Sequence, residues 1–121
     1  MKIRINGASV RLRLSKTEVA RLVHEGRVEE LTPFPTGAFR YVLQKVATGD
    51  GLSASFEKDT IIMYAPQSLI GDWDTNTLIS IEANMPVGEG SLYLLLEKDF
   101  QCIDHATEDQ SDNYTNPKQI C

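Results

Sequence analysis

The stretch that decides the fold is Met1–Gly26, which reads MKIRINGASVRLRLSKTEVARLVHEG. In its first half, apolar residues alternate with basic ones on both sides of Asn6-Gly7. Alternation with a period of two indicates strands with one buried and one exposed face, and Asn-Gly readily adopts the positive φ angles of a type I′ turn. The sequence therefore predicts a β-hairpin with one apolar face and one basic face.

The second half of this stretch changes to a helical period. Ser15 followed by Glu18 is a capping box, in which each side chain accepts a hydrogen bond from a backbone N–H at the helix start. Apolar residues then recur at the spacing of one helix face, and Gly26 suits the left-handed conformation that ends a helix. We expect one amphipathic helix over residues 15–25.

Beyond Gly26 the pattern is mostly that of short strands. The expected strands are 27–32, 39–46, 52–57, 60–65, 78–83 and 92–97. Pro33 should end the first of them, because proline interrupts a ladder of hydrogen bonds. Residues 84–90 should form a loop, and Pro66 should start a short helical turn over residues 66–73.

Hairpins combined with one good helix predict a single α+β domain over residues 1–100. Its sheet should be curved and mostly antiparallel, a half-barrel of about seven or eight short strands. This sheet would cover the main helix (15–25) and the helical turn (66–73). Residues 101–121 should form an acidic C-terminal tail that packs on the domain. No internal repeat is visible in the sequence.

The composition is that of an ordinary soluble globular protein, with 121 residues, 41% hydrophobic and 24% charged. A net charge of −5 argues against non-specific nucleic-acid binding, which needs a basic surface. No run approaches about 18 consecutive apolar residues, the length of a membrane span. The N-terminal residues lack the unbroken apolar segment of a signal peptide. We therefore expect a cytoplasmic protein that binds neither nucleic acid nor membrane.

The charge is polarised along the chain. Residues 1–27 hold seven basic and two acidic side chains, whereas residues 97–121 hold six acidic and two basic ones. This asymmetry suggests that the acidic tail docks on the basic hairpin of its own domain or of a second copy. Exposed ion pairs contribute only about 0–1 kcal/mol each. Apolar side chains such as Phe100, Ile103 and Tyr114 would therefore have to supply much of the docking energy.

A first candidate site is the basic face of the hairpin. Its residues are Lys2, Arg4, Arg11 and Arg13, and Arg40 from a later strand could join them. Guanidinium groups can hold phosphates, carboxylates or an acidic partner by bidentate contacts.

Triphosphate-tunnel enzymes also hold polyphosphates on a charged curved sheet, but their N-terminal signature alternates glutamates, and here those positions read Lys-Ile-Arg-Ile-Asn. The sequence excludes that enzyme identity. The alternative is that the basic side chains are the solvated outer face of a half-buried sheet.

A second candidate site is a divalent-metal site in the tail. Its possible ligands are Cys102, His105, Asp109 and Asp112. Zinc accepts Cys, His and carboxylate ligands in a tetrahedral arrangement, although this spacing matches no known finger or ribbon. The alternative is that Cys102 is a small buried hydrophobe while the acidic residues are solvated.

Five segments carry a resemblance over nearly the whole length. They are MKIRINGASVRLRLSKTEV (1–19), GRVEE (26–30), LSASFE (52–57), LEKDFQC (96–102) and EDQSDNYTNP (108–117). Together they resemble a small uncharacterised bacterial family of unknown function. The sequence departs from the family pattern at Tyr114-Thr115, where an aromatic residue followed directly by proline is expected. The resemblance implies a stand-alone bacterial cytoplasmic protein and no particular activity, cofactor or catalytic residue.

Recognisable catalytic patterns are missing from the sequence. It has no nucleophile elbow, no phosphate-binding P-loop and no dinucleotide-binding glycine motif, and His24 and His105 lie in no recognisable site. The best prediction is a small non-catalytic binding or interaction module that uses the basic face, the acidic tail or both. Its partner would be another protein or a second copy in a homodimer. The alternative is a zinc-type metal-binding protein or metal-dependent enzyme with its ligands in the tail.

Overall fold

A computed structural model describes residues 1–100, which form eight strands and two helices. The strands are β1 (Lys2–Ile5), β2 (Ser9–Leu14), β3 (Arg27–Phe34), β4 (Gly37–Val46), β5 (Ser53–Glu57), β6 (Thr60–Pro66), β7 (Ser80–Val87) and β8 (Gly90–Lys98). The helices are α1 (Lys16–Glu25) and α2 (Gln67–Ile70). The predicted tail, residues 101–121, lies outside the described residues.

The strands form two four-stranded sheets, so the prediction of one curved sheet or half-barrel is wrong. The first sheet has the order β1-β2-β8-β7, and the second has the order β3-β4-β6-β5. Each sheet consists of two antiparallel hairpins joined by a parallel central pair, β2 with β8 and β4 with β6. The sheet is divided because α1 separates β2 from β3, so that β3 starts the second sheet and the last hairpin returns to pair with β2.

One apolar core joins the two sheets. It includes Leu12 and Leu94 from the first sheet and Leu43 and Met63 from the second, all fully buried. No polar or charged residue of the described chain is buried. Successive side chains of a strand point to opposite faces. The basic residues that alternate with the apolar residues of β1 and β2 therefore lie on the outer surface of the first sheet.

The predicted amphipathic helix is confirmed as α1. Ser15 is its N-cap, since the Ser15 hydroxyl accepts a hydrogen bond from the Glu18 backbone N–H (3.3 Å) and the Glu18 carboxylate accepts one from the Ser15 N–H (2.9 Å). Gly26 ends the helix in the left-handed region, at φ 85°. Val19 and Leu22 are buried in the core, which attaches α1 to the sheets.

The second helical segment is shorter than the predicted turn over residues 66–73. α2 covers only Gln67–Ile70, and Pro66 is the last residue of β6. The chain then turns to Trp73, which is fully buried and donates a hydrogen bond from its indole Nε1 to the Leu78 carbonyl oxygen (2.8 Å). Two fully buried side chains, Ile70 and Trp73, therefore attach this segment to the core.

Two prolines lie inside strands, contrary to the sequence analysis. β3 continues through Pro33 to Phe34, and β7 continues through Pro86 to Val87, so the predicted loop over residues 84–90 is wrong. Both strands are at an edge of their sheet. An edge strand tolerates proline because one side of its backbone has no ladder partner.

The chain contains an internal structural repeat that the sequence analysis missed. Residues 1–46 run β1-β2-α1-β3-β4, and residues 53–98 run β5-β6-α2-β7-β8. The second hairpins of the two repeats align without gaps, as RVEELTPFPTGAFRYVLQKV (27–46) and SIEANMPVGEGSLYLLLEKD (80–99).

Equivalent lysines near the ends of β4 and β8 show that the repeat extends to side-chain contacts. Lys45 Nζ donates to the Val23 carbonyl oxygen in the last turn of α1 (2.8 Å), and Lys98 Nζ donates to the Asn76 carbonyl oxygen after α2 (2.9 Å). Each lysine thereby connects the last strand of its repeat to the chain that precedes the second hairpin, in α1 for Lys45 and after α2 for Lys98.

Glu18 connects the start of α1 to the N-terminal strand. Its carboxylate accepts hydrogen bonds from the Ser15 N–H and from the Met1 amino group. Burial raises the pKa of Glu18, but the hydrogen bonds from Met1 and Ser15 outweigh burial, and the pKa lies below its ordinary value. A carboxyl group with a lowered pKa in the folded state stabilises the fold above its unfolded pKa of about 4.3 and loses that effect as the pH falls through the folded pKa.

We expect Glu18→Gln to lower the melting temperature by roughly 2–5 °C at neutral pH, and we expect this difference to shrink as the pH falls through the lowered pKa of Glu18. The reason is that the lost contribution exists only while Glu18 is ionised. Thermal melts of both proteins between neutral pH and pH 3 measure the difference. Glu25→Gln, at an exposed position of the same helix, is the control. A difference for Glu18→Gln that stays constant with pH would contradict this role of the charge.

Candidate anion-binding face

Four of the five residues predicted to bind an anion lie together on the outer surface of the first sheet. They are Lys2, Arg4, Arg11 and Arg13, and we call them the basic face. The β1–β2 ladder places Lys2 directly opposite Arg13 and Arg4 directly opposite Arg11. Side chains in opposite positions have Cβ atoms about 5 Å apart, and like charges placed there are destabilising. The basic face therefore needs negative charge nearby.

Two carboxylates supply part of that charge. They are Glu97, near the end of β8, and Asp99, the first residue after β8. Glu97 lies opposite Arg13 in the parallel ladder, and its Oε1 accepts hydrogen bonds from Nε of Arg11 (2.5 Å) and Nε of Arg13 (2.9 Å). Asp99 accepts a hydrogen bond from Lys2 Nζ (3.1 Å), and its Oδ1 lies 3.9 Å from Arg13 Nη1. The basic face thus already binds carboxylates of its own chain.

Arg4 differs from the other three cations. It is exposed, and within residues 1–100 no carboxylate oxygen lies within 4.0 Å of its guanidinium group. Arg4 and Arg11 line two shallow depressions, one of about 120 Å³ on the side of Lys2 and one of about 170 Å³ on the side of Tyr93. Arg4, the cation without a carboxylate partner in residues 1–100, therefore lies at both depressions.

Neutral polar groups surround the larger depression. Ser9 Oγ donates a hydrogen bond to the Asn6 carbonyl oxygen (2.7 Å), which braces the hairpin loop. Tyr93 Oη donates to the Glu82 carboxylate (2.5 Å), and this hydrogen bond raises the pKa of Tyr93. The Tyr93 hydroxyl consequently stays protonated and adds no negative charge beside Arg11.

Arg40 does not join the basic face. It lies on β4 in the second sheet, where it forms an ion pair with Glu29 of β3. Arg27 contacts the same carboxylate at 3.6 Å. The hydrogen bond from Arg40 lowers the pKa of Glu29. The second sheet therefore has its own cluster of two arginines around one glutamate.

Sequence reasoning missed Glu97, Asp99 and Tyr93 as members of this surface. The apolar alternation over residues 92–96 would have placed Tyr93 and Glu97 on the polar side of β8. No local signal shows that β8 pairs with β2, and that pairing brings the carboxylates to the arginines.

The predicted metal site is not part of this surface. Its four residues, Cys102, His105, Asp109 and Asp112, lie outside the described residues. Within residues 1–100, no group of three or more His, Cys, Asp or Glu side chains is placed to hold a metal ion. The zinc hypothesis therefore stays a prediction.

Comparison with known proteins identifies the family of the chain. Among the helices of residues 1–100, none is both long and apolar enough to cross a membrane. The chain has no match among curated proteins and none among solved structures. The model of a family of unknown function, DUF7009, matches residues 1–118, in agreement with the resemblance read from the sequence segments. Because this match covers nearly the whole chain, the protein belongs to the DUF7009 family.

Proposed function

We propose that this chain is a small non-catalytic interaction module whose basic face binds an acidic protein segment. The observation that carries the proposal is the position of Glu97 and Asp99, whose carboxylates contact three of the four cations. Four cations face two carboxylates, so positive charge remains. A surface that holds two carboxylates and keeps a positive charge suits a further ligand of the same chemistry.

The energetics favour an extended ligand with several carboxylates. An exposed ion pair contributes only about 0–1 kcal/mol, so no single contact on the rim of the face gives useful affinity. The Glu97 side chain is 15% exposed, and it fixes the two arginines in place before a ligand arrives. Binding should weaken as salt screens the charges.

The nearest acidic segment is residues 101–121 of the same chain. It follows directly after Phe100, and it has four acidic residues, Asp104, Glu108, Asp109 and Asp112, against one basic residue, Lys118. We propose that this segment binds the basic face, within one chain or exchanged between two copies as a homodimer. The family resemblance implies a bacterial cytoplasmic setting for the module.

A labelled peptide with the sequence of residues 101–121 tests the proposal by fluorescence anisotropy at low salt. The partner is the full-length chain with Asp104→Asn, Glu108→Gln, Asp109→Asn and Asp112→Asn, so that its own segment has lost its charge and does not compete with the peptide. We expect saturable binding that Arg11→Glu/Arg13→Glu weakens at least about tenfold, because each reversal replaces an attractive pair by a repulsive one. The matched control is Arg27→Glu/Arg40→Glu, which reverses the same number of charges around Glu29 in the second sheet. The control should change the dissociation constant by less than about threefold.

Two results would contradict the proposal. Equal weakening by the two double variants would mean that net charge alone attracts the peptide. Absence of saturable binding to this chain, whose own segment no longer competes, would mean that the basic face has no affinity for the segment. Size-exclusion chromatography of the full-length chain at increasing concentration separates binding within one chain from exchange between two copies.

A further inference from the structure

We propose that the Arg4–Arg11 pair is a binding site for a phosphate monoester on the partner segment. The inference rests on the proposed function, because it assumes a segment docked on the basic face. The inference specifies that a phosphate monoester is the group that anchors this segment.

Nearby carboxylates neutralise the two like-charged pairs of the basic face unequally. Lys2 and Arg13 stand opposite each other, and both lie next to Asp99. Arg11 is held by Glu97, but its opposite residue Arg4 has no carboxylate partner in the described part of the chain. A cross-strand pair of like charges is destabilising, and an anion bound between the two side chains removes this cost.

The Arg4–Arg11 pair also has free N–H donors for a ligand. Glu97 contacts Nε and one terminal nitrogen of Arg11, which leaves the other terminal nitrogen for a ligand. Arg4 adds a whole guanidinium group with five N–H donors. Asn6, Ser9 and Tyr93 line the same depression of about 170 Å³ and contribute polar groups to its rim. The donors of this site are therefore the free terminal nitrogen of Arg11 and the Arg4 guanidinium group, because Ser9 Oγ and Tyr93 Oη already donate to the Asn6 carbonyl oxygen and the Glu82 carboxylate.

The number of oxygen atoms in the ligand distinguishes phosphate from carboxylate. A carboxylate has two oxygen atoms in one plane and matches a single guanidinium fork. Two guanidinium groups side by side are better matched by a phosphate monoester, which has three terminal oxygen atoms and a charge of about −1.5 to −2. Four cations opposed by Glu97 and Asp99 leave two positive charges on the basic face, which a dianion neutralises.

Titration of the full-length chain with inorganic phosphate at slightly alkaline pH and constant ionic strength tests the site. NMR of the arginine Nε–H groups or calorimetry provides the readout, and sodium acetate is the carboxylate probe. We expect phosphate to bind at least about tenfold more tightly than acetate.

We expect Arg4→Gln to weaken phosphate binding at least about tenfold, the loss expected for a charge-assisted donor group. Arg11→Lys keeps the charge but removes the fork and should weaken it as well. Arg40→Gln, in the second sheet, should leave it unchanged.

The outcomes separate this inference from the proposed function. Equal affinities for phosphate and acetate, or unchanged phosphate binding in Arg4→Gln, would overturn the phosphate site. If the peptide of residues 101–121 still binds in either case, the proposed function stands without it. Phosphate binding that depends on Arg4 in a chain that does not bind the peptide would support the site and contradict the proposed function. A circular-dichroism melt of Arg4→Gln that matches the wild type confirms that the exposed substitution leaves the fold intact.

Discussion

Trp73→Ala should lower the free energy of unfolding by about 3–5 kcal/mol, the range for removing a buried aromatic side chain. Trp73 is fully buried, and its indole N–H donates to the Leu78 carbonyl oxygen at 2.8 Å. Lys98 Nζ lies 5.5 Å from the ring centroid. Between β6 and β7, Trp73 shares the attachment to the core with Ile70 of the four-residue helix α2. Urea unfolding followed by circular dichroism measures the change.

Trp73→Phe is the matched variant for this position. It keeps a buried ring but leaves the Leu78 carbonyl oxygen without its donor, and we expect a loss of about 1–3 kcal/mol. Thr75→Ala, at an exposed position in the same turn, should change the free energy of unfolding by less than about 0.5 kcal/mol. A Trp73→Ala effect no larger than that of Thr75→Ala would mean that Trp73 is not part of the core.

Leu22→Ala should destabilise the protein by about 2–5 kcal/mol. Val19 and Leu22 are the two buried residues of α1, and Leu22 is fully buried in the core that joins the sheets. Truncation of Leu22 therefore creates a cavity where α1 packs, and the helix has little other buried surface to offset it. The same urea titration measures the effect.

Arg21→Ala controls for changes in helix propensity at the neighbouring position of α1. Arg21 is exposed and makes only a 3.7 Å ion pair with Glu25 one turn later, a type of contact that contributes about 0.2–0.5 kcal/mol. Because Ala has a higher helix propensity than Leu or Arg, propensity alone would not destabilise either variant, and similar losses for Leu22→Ala and Arg21→Ala would indicate that packing of Leu22 is not what holds α1.

Local signals predicted the elements of the fold well. The capping box at Ser15 and Glu18 and the left-handed Gly26 are interactions among neighbouring residues, so the sequence alone determines them. The first hairpin was also predicted, but its turn differs. Only Gly7 has a positive φ there (54°), whereas a type I′ turn needs two such residues.

The hairpin turn with two positive φ angles is formed instead by Lys58 (50°) and Asp59 (60°). Asp tolerates that conformation but Lys does not favour it, so at Lys58 the register of β5 and β6 overrides local preference. Similarly, the sequence predicts a strand end at Pro33 and a loop that contains Pro86, because it does not show which strands are at an edge. Strand order depends on long-range packing, and no signal within a few residues encodes it.

The candidate site, like the fold, was predictable only where local sequence patterns determine it. The alternation of β1 and β2 predicted that Lys2, Arg4, Arg11 and Arg13 share one surface. The contact of Glu97 with Arg11 and Arg13 could not be predicted, because it depends on the parallel pairing of β2 with β8. Arg40 was grouped with the others on charge alone, and the division into two sheets separates it from them.

The internal repeat has a consequence for how this chain folds during synthesis. Each sheet takes one hairpin from each repeat, so neither repeat can complete a sheet alone. The parallel ladder of the first sheet joins β2 to β8, at opposite ends of the described chain. Such long-range pairings require closure of a long loop before their contacts form, which slows folding. While β8 is missing from a ribosome-bound chain, Val10, Leu12 and Leu14 of β2 lack their neighbours on that strand. The native fold can therefore form only after β8 has left the exit tunnel.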